Sequence, residues 1–276
     1  MTAKRTKILI IAGILAITLA LVFLIPFYFV LVNSFKTYKE ISVSTASLPS
    51  ALNLQNYYEV FRILNYPKVF MNSLIITVTS NVGLVIISSM AAYWMARHPN
   101  KFNSLLFGLF VSSSLIPFQS IMLPMVRVAK TVGWQNNYYG ILFCYLGFGV
   151  AFTLFLYHGF IKSISVEIEE SASIDGCTRF GVFWKIVFPL LKPITGTVVI
   201  LNSLWIWNDF LLPYLILSAP KLRTVPLAVN SFFGQYTKQW DLAMAALVMS
   251  IIPIIILFLA LQRYIIAGIT QGSVKG

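Results

Sequence analysis

Two histidines, two cysteines and eight acidic side chains are all this chain offers to metal or acid–base chemistry, and their spacing serves neither. His98 and His158 show no metal-ligand spacing and no nucleophile–base pair. Cys144 lies in an apolar run and Cys177 in a polar one, so no disulfide framework is implied. No Gly-x-x-x-x-Gly-Lys-Ser/Thr phosphate loop occurs anywhere in the chain. The expectation is neither an enzyme active site nor a resident metal or cofactor. What remains is polar side chains set into apolar runs: Thr77, Asn81, Gln119, Tyr145, Asn202, Asn208 and Asp209, with Trp205 and Trp207 beside the last two. Polar groups are costly in hydrocarbon, so these should face a bundle interior or a wet cavity. Amides and carboxylates hydrogen-bond sugar hydroxyls, and flat rings stack on sugar C–H faces. A substrate path would therefore draw on Gln119, Tyr145, Trp205, Trp207, Asn208 and Asp209. The competing reading is that Asn208 and Asp209 bond helix to helix and the tryptophans anchor at the membrane interface.

The elements that must position these residues follow from composition. With 276 residues, 58% hydrophobic and only 10% charged, the chain has too little polar surface to cover a soluble globule. An all-α, polytopic membrane protein is expected. The net charge of +12 invites a nucleic-acid reading, but such proteins gather Lys and Arg on one water-facing patch. Here they fall at span ends and in loops, as anchoring in membrane lipid requires, so no nucleic-acid partner is expected.

After a basic segment at 1–7, six apolar spans are expected at about 8–32, 70–94, 103–126, 138–160, 194–218 and 242–261, within a transmembrane region of 8–268. The first is read as uncleaved. A signal peptide's apolar core is about 7–15 residues, whereas this run is longer and ends in Phe27-Tyr28-Phe29. Residues 33–68 form a polar and aromatic loop with a short amphipathic helix, and Pro117 and Pro124 should kink the third span. Six spans place both termini on one side. Lys and Arg divide almost evenly between the two faces, so the positive-inside bias is weak. The basic N-terminus and the tight basic turn Arg97–Lys101 put the termini, including the tail 269–276, in the cytoplasm.

Between the fourth and fifth spans lies a polar-to-amphipathic stretch, Glu167–Pro193, inside a loop of 161–193. Glu167, Glu169 and Glu170 suit the opening turn of a helix, and Asp175-Gly176 breaks it. Phe180, Phe183, Trp184 and Val187 then restart at helical spacing, limited by Pro189 and Pro193. A helix–turn–helix outside the bilayer results. Its small residues and glycine turn suit close approach by a partner protein, and Glu170 suits a cationic partner side chain.

In this spacing the chain resembles the permease subunits of binding-protein-dependent, ATP-driven (ABC) importers. Their cytoplasmic signature is Glu-Ala-Ala, three residues, Gly, nine residues, Ile-x-Leu-Pro. Here it stands as Glu170-Ser171-Ala172, Gly176 and Ile186-Val187-Phe188-Pro189, with Ser171 for an alanine and Phe188 for the leucine. Further landmarks resemble the carbohydrate-uptake branch, that of the maltose transporters. They are Asn72-Ser73, Ala92-Tyr93, Ala96-Arg97, Pro124, Trp207-Asn208-Asp209-Phe210, Thr224-Val225-Pro226-Leu227, Pro253, Gly268, Gly272 and Val274-Lys275-Gly276.

The resemblance implies a type I importer permease fold of six transmembrane helices in a bacterial or archaeal inner membrane. It implies a sibling permease, a dimer of cytoplasmic ATPase subunits that bind ATP and Mg, and an extracytoplasmic sugar-binding protein. Glu170, Ser171, Ala172, Asp175, Gly176, Ile186 and Pro189 would form the ATPase-coupling surface. Gln271, Gly272 and Lys275 would contact the ATPase pair from the tail. The cargo implied is a sugar, with an oligosaccharide favoured. Two alternatives stay open: an importer of the same machinery for a non-sugar solute, and an ion-coupled carrier. The absence of a visible internal repeat and the single acid placed in a span weigh against the carrier.

Overall fold

The structure is a computed structural model. It describes the backbone of residues 3–233 and 239–273 and the side chains of residues 9–233, 239–260 and 262. Among the described residues every regular element is helical. Helix α1 covers Ala3–Ser34, α2 Tyr38–Val43, α3 Gln55–Ile63, α4 Tyr66–Arg97, α5 Lys101–Ser113, α6 Phe118–Thr131 and α7 Tyr138–Ile161. Then come α8 (Val166–Ile174), α9 (Arg179–Val182), a π-helical turn (Phe183–Val187), α10 (Phe188–Leu190), α11 (Lys192–Asn208), α12 (Leu211–Ile216), α13 (Val225–Val229) and α14 (Trp240–Ser273).

Among the described residues four helical stretches are long and apolar enough to cross a membrane: Leu9–Ser34, Tyr66–Arg97, Tyr138–Ile161 and Trp240–Ala260. Two bent pairs raise the number to six if each is one span: Lys101–Ser113 with Phe118–Thr131, bent by 102°, and Arg179–Leu190 with Lys192–Asn208, bent by 74°. The stretch 103–126, expected as one kinked helix, is thus two helices at nearly a right angle. Proline disfavours a helical residue before it, and the break falls just ahead of Pro117, which opens α6 from an extended conformation. Pro124 lies inside α6 without breaking it. The stretch 194–218 is likewise divided, at Asp209-Phe210, between α11 and α12.

The chain forms two compact units, residues 1–66 with 229–252 and residues 67–228 with 253–276. In the first, the loop after α1 is tied down by side chains. Lys36 is fully buried, and its ammonium donates to Ser44 O (3.0 Å), Thr45 O (3.3 Å) and Ser47 Oγ (3.4 Å). Asn33 Nδ2 donates to Thr45 O (2.9 Å), and Asn56 Nδ2, on α3, donates to Ser34 O (2.9 Å) and Lys36 O (2.8 Å). Thr37 and Glu40 form a capping box on α2. Glu40 also accepts from the Ser50 hydroxyl and from Ser50 N (3.2 Å). These bonds, led by Ser50, hold its carboxyl down at about 2. By contrast α1 is exposed along Leu9–Tyr28, with large apolar side chains on every face, as a lipid-facing helix requires.

In the second unit α4, α7 and α11 carry the core. Ile76, Leu84, Ile141, Tyr145, Ile206 and Leu212 form one cluster; Ala92, Leu154, Tyr157, Phe183, Val187 and Val198 belong to another. Polar rungs lock α7 against the antiparallel α11. Tyr157 OH bonds Thr195 Oγ1 (2.9 Å), Asn202 Nδ2 donates to Thr153 Oγ1 (3.1 Å), and Tyr145 OH donates to Asp209 Oδ2 (3.0 Å). Such bonds contribute only about 0.6 kcal/mol each in a membrane, but they fix register where apolar packing alone would slide. At the start of α4, Asn72 Nδ2 donates to Lys221 O (3.1 Å) and Arg223 O (2.9 Å), and Tyr138 OH donates to Asn72 Oδ1 (2.6 Å). Gly140, in the first turn of α7, is required by packing: a Cβ there would stand 1.8 Å from Trp134 O.

Candidate functional site

The α5–α6 bend and the α11–α12 break of the second unit line a cavity of about 600 Å³. Gln119 enters it from the first turn of α6, Asn202 and Trp205 from α11, and Asp209 from the α11–α12 break, while Phe148 and Phe152 of α7 supply aromatic wall. Asp209 makes the break. Its Oδ1 accepts from Leu211 N (2.9 Å) and Leu212 N (3.4 Å), satisfying the first amides of α12, and its Oδ2 takes the Tyr145 hydroxyl. Both oxygens are therefore engaged inside the chain. The groups turned to the space are the exposed Gln119, Ser113 and Ser114 and the ring of Trp205, which is 40% exposed and set edge-on to Tyr145 at 5.5 Å.

Of the six residues expected to line a path, the structure gathers Gln119, Trp205 and Asp209 around one cavity, with Tyr145 behind Asp209. Trp207 is buried, packs edge-on to Phe70 at 5.6 Å and lines a different, apolar groove of about 720 Å³ with Thr77 and Asn81. Asn208 is exposed and donates to Leu204 O of its own helix (2.8 Å). Sequence reasoning passed over the aromatic wall, because Phe148 and Phe152 look like ordinary apolar residues of α7. The helix pitch alone, four residues apart on one face, was available to place them together.

The second place of interest is the 166–190 segment. Ser165 caps α8, accepting from Glu167 N (3.2 Å), and Glu167 and Glu169 sit in its positive first turn. At the other end Cys177 N donates to Ala172 O (3.0 Å) and Gly176 N to Ser173 O (3.1 Å), the two bonds of a Schellman motif. That motif puts Gly176 at φ +85°, a conformation strained for any residue with a Cβ, although the space around it is open. Glu170, Ser171, Asp175 and Gly176 are exposed together, flanked by Ile174 and Phe180, 86% and 65% exposed. Ala172 points the other way, into the core beside Val182 and Phe183. Ile186 is half-buried and Pro189 exposed. Pro189 has no N–H to offer the α-helical ladder. Just ahead of it the chain widens into the π turn, Phe188 N donating to Phe183 O, with the rings of Phe183, Trp184 and Phe188 packed edge-on and tilted around it.

The inner face of α8 is held by α4. Arg97 Nε (2.8 Å) and Nη2 (2.7 Å) both donate to Glu169 Oε1, Nη2 also donates to Ile164 O (3.0 Å), and Tyr93 OH donates to Glu169 Oε2 (2.8 Å). The two charged side chains are 12% and 9% exposed. Sequence reading credited Glu170 and missed Glu169. Three Glu in the opening turns of α8 and Arg97 after a distant span give no pairing signal without the fold.

Among the described residues, no three of His, Cys, Asp and Glu converge as a metal site. Lys275 lies outside the described residues, and for Gln271 and Gly272 only the helical backbone is described.

A family model described as "Binding-protein-dependent transport system inner membrane component" matches residues 83–271. The chain is 44% identical to the "Probable starch degradation products transport system permease protein AmyC" of Thermoanaerobacterium thermosulfurigenes, over 95% of each chain. It is 38% identical to the melibiose/raffinose/stachyose import permease MelC of Bacillus subtilis, over 100% of each. It is 36% identical to the multiple sugar-binding transport system permease MsmG of Streptococcus mutans, over 91% of this chain and 92% of that one. Its fold is that of a chain in the crystal structure of a bacterial ABC transporter involved in import of the acidic polysaccharide alginate. The TM-score is 0.82 at 22% identity, covering 96% of this chain and 98% of the other.

Proposed function

Since the chain belongs to the family of binding-protein-dependent transport system inner membrane components, we propose that it is a permease subunit of an ATP-driven oligosaccharide importer in a bacterial or archaeal cell membrane. The observation that carries this reading is likeness along almost the whole chain to several permeases named for saccharide transport. In this proposal the chain crosses the membrane six times with both ends cytoplasmic, α5 with α6 and α11 with α12 each making one span, and the 161–193 segment lies on the cytoplasmic side. A sibling permease completes the path, an external binding protein delivers the sugar, and a pair of ATPase subunits supplies ATP and Mg chemistry that this chain lacks.

Two features of the structure support the assignment of parts. The exposed cluster Glu170, Ser171, Asp175 and Gly176, with apolar Ile174 and Phe180 beside it, has the shape of a docking knob for the ATPase: charged at one edge, apolar at the other, glycine at its tip. The cavity of Gln119 and Trp205 offers an amide and a ring face, the pair that sugar recognition uses. It forms this subunit's share of the path.

The test is to purify the native complex through a tag on this chain and identify its companions. An ATPase, a second permease and a solute-binding protein are expected, with sugar uptake into proteoliposomes that requires ATP. Recovery of the chain alone, active without ATP, refutes the importer in favour of an ion-coupled carrier.

A further inference from the structure

The clamp between α4 and α8 uses an unusual amount of polar structure for one short helix. Tyr93 and Arg97 are one helical turn apart on the same face of α4, and each takes a different oxygen of Glu169. A carboxylate gripped at both oxygens from two points along one helix is fixed in position and in rotation, which a single contact cannot achieve. Arg97 also reaches Ile164 O in the lead-in to α8, and the ring of Phe183, beyond the Gly176 turn, packs on Tyr93 at 5.2 Å. Both halves of the segment thus meet the same turn of α4. The buried pair is poorly screened, so opening it would strand a charge. Glu170, the next residue, faces outward with the exposed cluster.

We propose that Arg97, Tyr93 and Glu169 are positioning residues for coupling: they make α8 move as one body with α4, so that a displacement imposed on the exposed cluster reaches the membrane helix undiminished. This rests on the importer reading, and it adds the joint that the reading leaves unspecified. In this proposal none of the three residues contacts sugar or ATP. Their role is mechanical, exerted through α8.

The wild-type complex, purified with its partners, is examined first. If no ATPase accompanies the chain, the importer reading fails before any variant is considered. In the complex, spin labels are placed on α4 and α8 through Met90→Cys and Ile168→Cys, 38% and 46% exposed, with Cys144 and Cys177 replaced by Ser. The label distance should be the same in the nucleotide-free and ATP–vanadate-trapped states. With Glu169→Gln added it should shift and broaden on trapping. Transport per ATP hydrolysed should fall about tenfold, within the range of ordinary coupling free energies, using maltotriose or raffinose as probe. Arg97→Lys, which keeps the charge, should recover more of that ratio than Arg97→Gln. Should Glu169→Gln not assemble, Tyr93→Phe removes one hydroxyl and carries the same test. The proposal is overturned if the wild-type distance itself changes on trapping, or if an assembled Glu169→Gln or Tyr93→Phe complex keeps the wild-type distance in both states or the wild-type transport per ATP.

Discussion

Lys36 shows how one side chain can organise a loop. A buried ammonium is costly unless each proton finds an acceptor, and here Ser44 O, Thr45 O and Ser47 Oγ take that part. Lys36→Met removes these donors and leaves Ser44 O only the longer bond from Ser47 Oγ (3.4 Å) and Thr45 O only the Asn33 amide (2.9 Å), so the loop should loosen by about 1–3 kcal/mol. Amide hydrogen exchange across residues 44–47 reports it; unchanged protection would show the lysine to be dispensable. Glu40 adds a pH dependence to the same loop. Its folded pKa of about 2 lies below the ordinary 4.5, because Ser50 and Thr37 hydrogen-bond the charged form. A depressed carboxylate contributes stability above its unfolded pKa and loses it as pH falls through the folded one. Protection of residues 37–50 should therefore decline from about pH 4.5 towards pH 2, and Glu40→Gln should flatten that decline. A decline of equal size in the variant would assign it to other groups.

Among the elements, the 166–190 segment was the part most legible in the sequence, because charge at a helix start and glycine at its stop act locally. The reason for Gly176 is conformational, however, since a Cβ there meets open space but a positive φ. Gly176→Asn, which tolerates that φ, should keep α8 and retain most transport. Gly176→Val should cost about 1–2 kcal/mol of local structure and reduce transport while the subunit stays in the membrane. Equal transport by the two variants would show that the turn's conformation is not what matters. Long-range features were not legible. Pro117 marks where α5 and α6 part, but its residue type does not give the size of the bend, 102°. Asp209, expected either to line a path or to bond helix to helix, caps α12 and receives Tyr145 of α7, partners that sit two residues and sixty-four residues away. Trp205 and Trp207, alike in type and two residues apart, face different spaces because α11 turns about 100° per residue.

At the scale of the whole chain, composition already dictated a multi-pass helical protein, and the fold adds where its few polar groups converge. In the proposed path Gln119 is the amide free to meet a sugar hydroxyl, whereas Asn208 bonds its own helix. Gln119→Ala should slow transport several-fold, the value of about one hydrogen bond, with ATPase association unchanged. Asn208→Ala should have the smaller effect. The opposite order, measured in proteoliposomes, would move the path away from this cavity.

The engagement of both Asp209 oxygens within the chain bears on time. In the proposed path, with that carboxylate engaged within the chain, a hold of about 4 kcal/mol on a passing sugar corresponds to a Kd on the order of 1 mM. With an association rate of roughly 10⁶ M⁻¹s⁻¹, the mean stay is about a millisecond. Enzymes and pumps commonly turn over at about 10 s⁻¹, so the cavity empties far faster than a cycle completes. A path built this way releases its cargo promptly and leaves the choice of cargo to whatever delivers it.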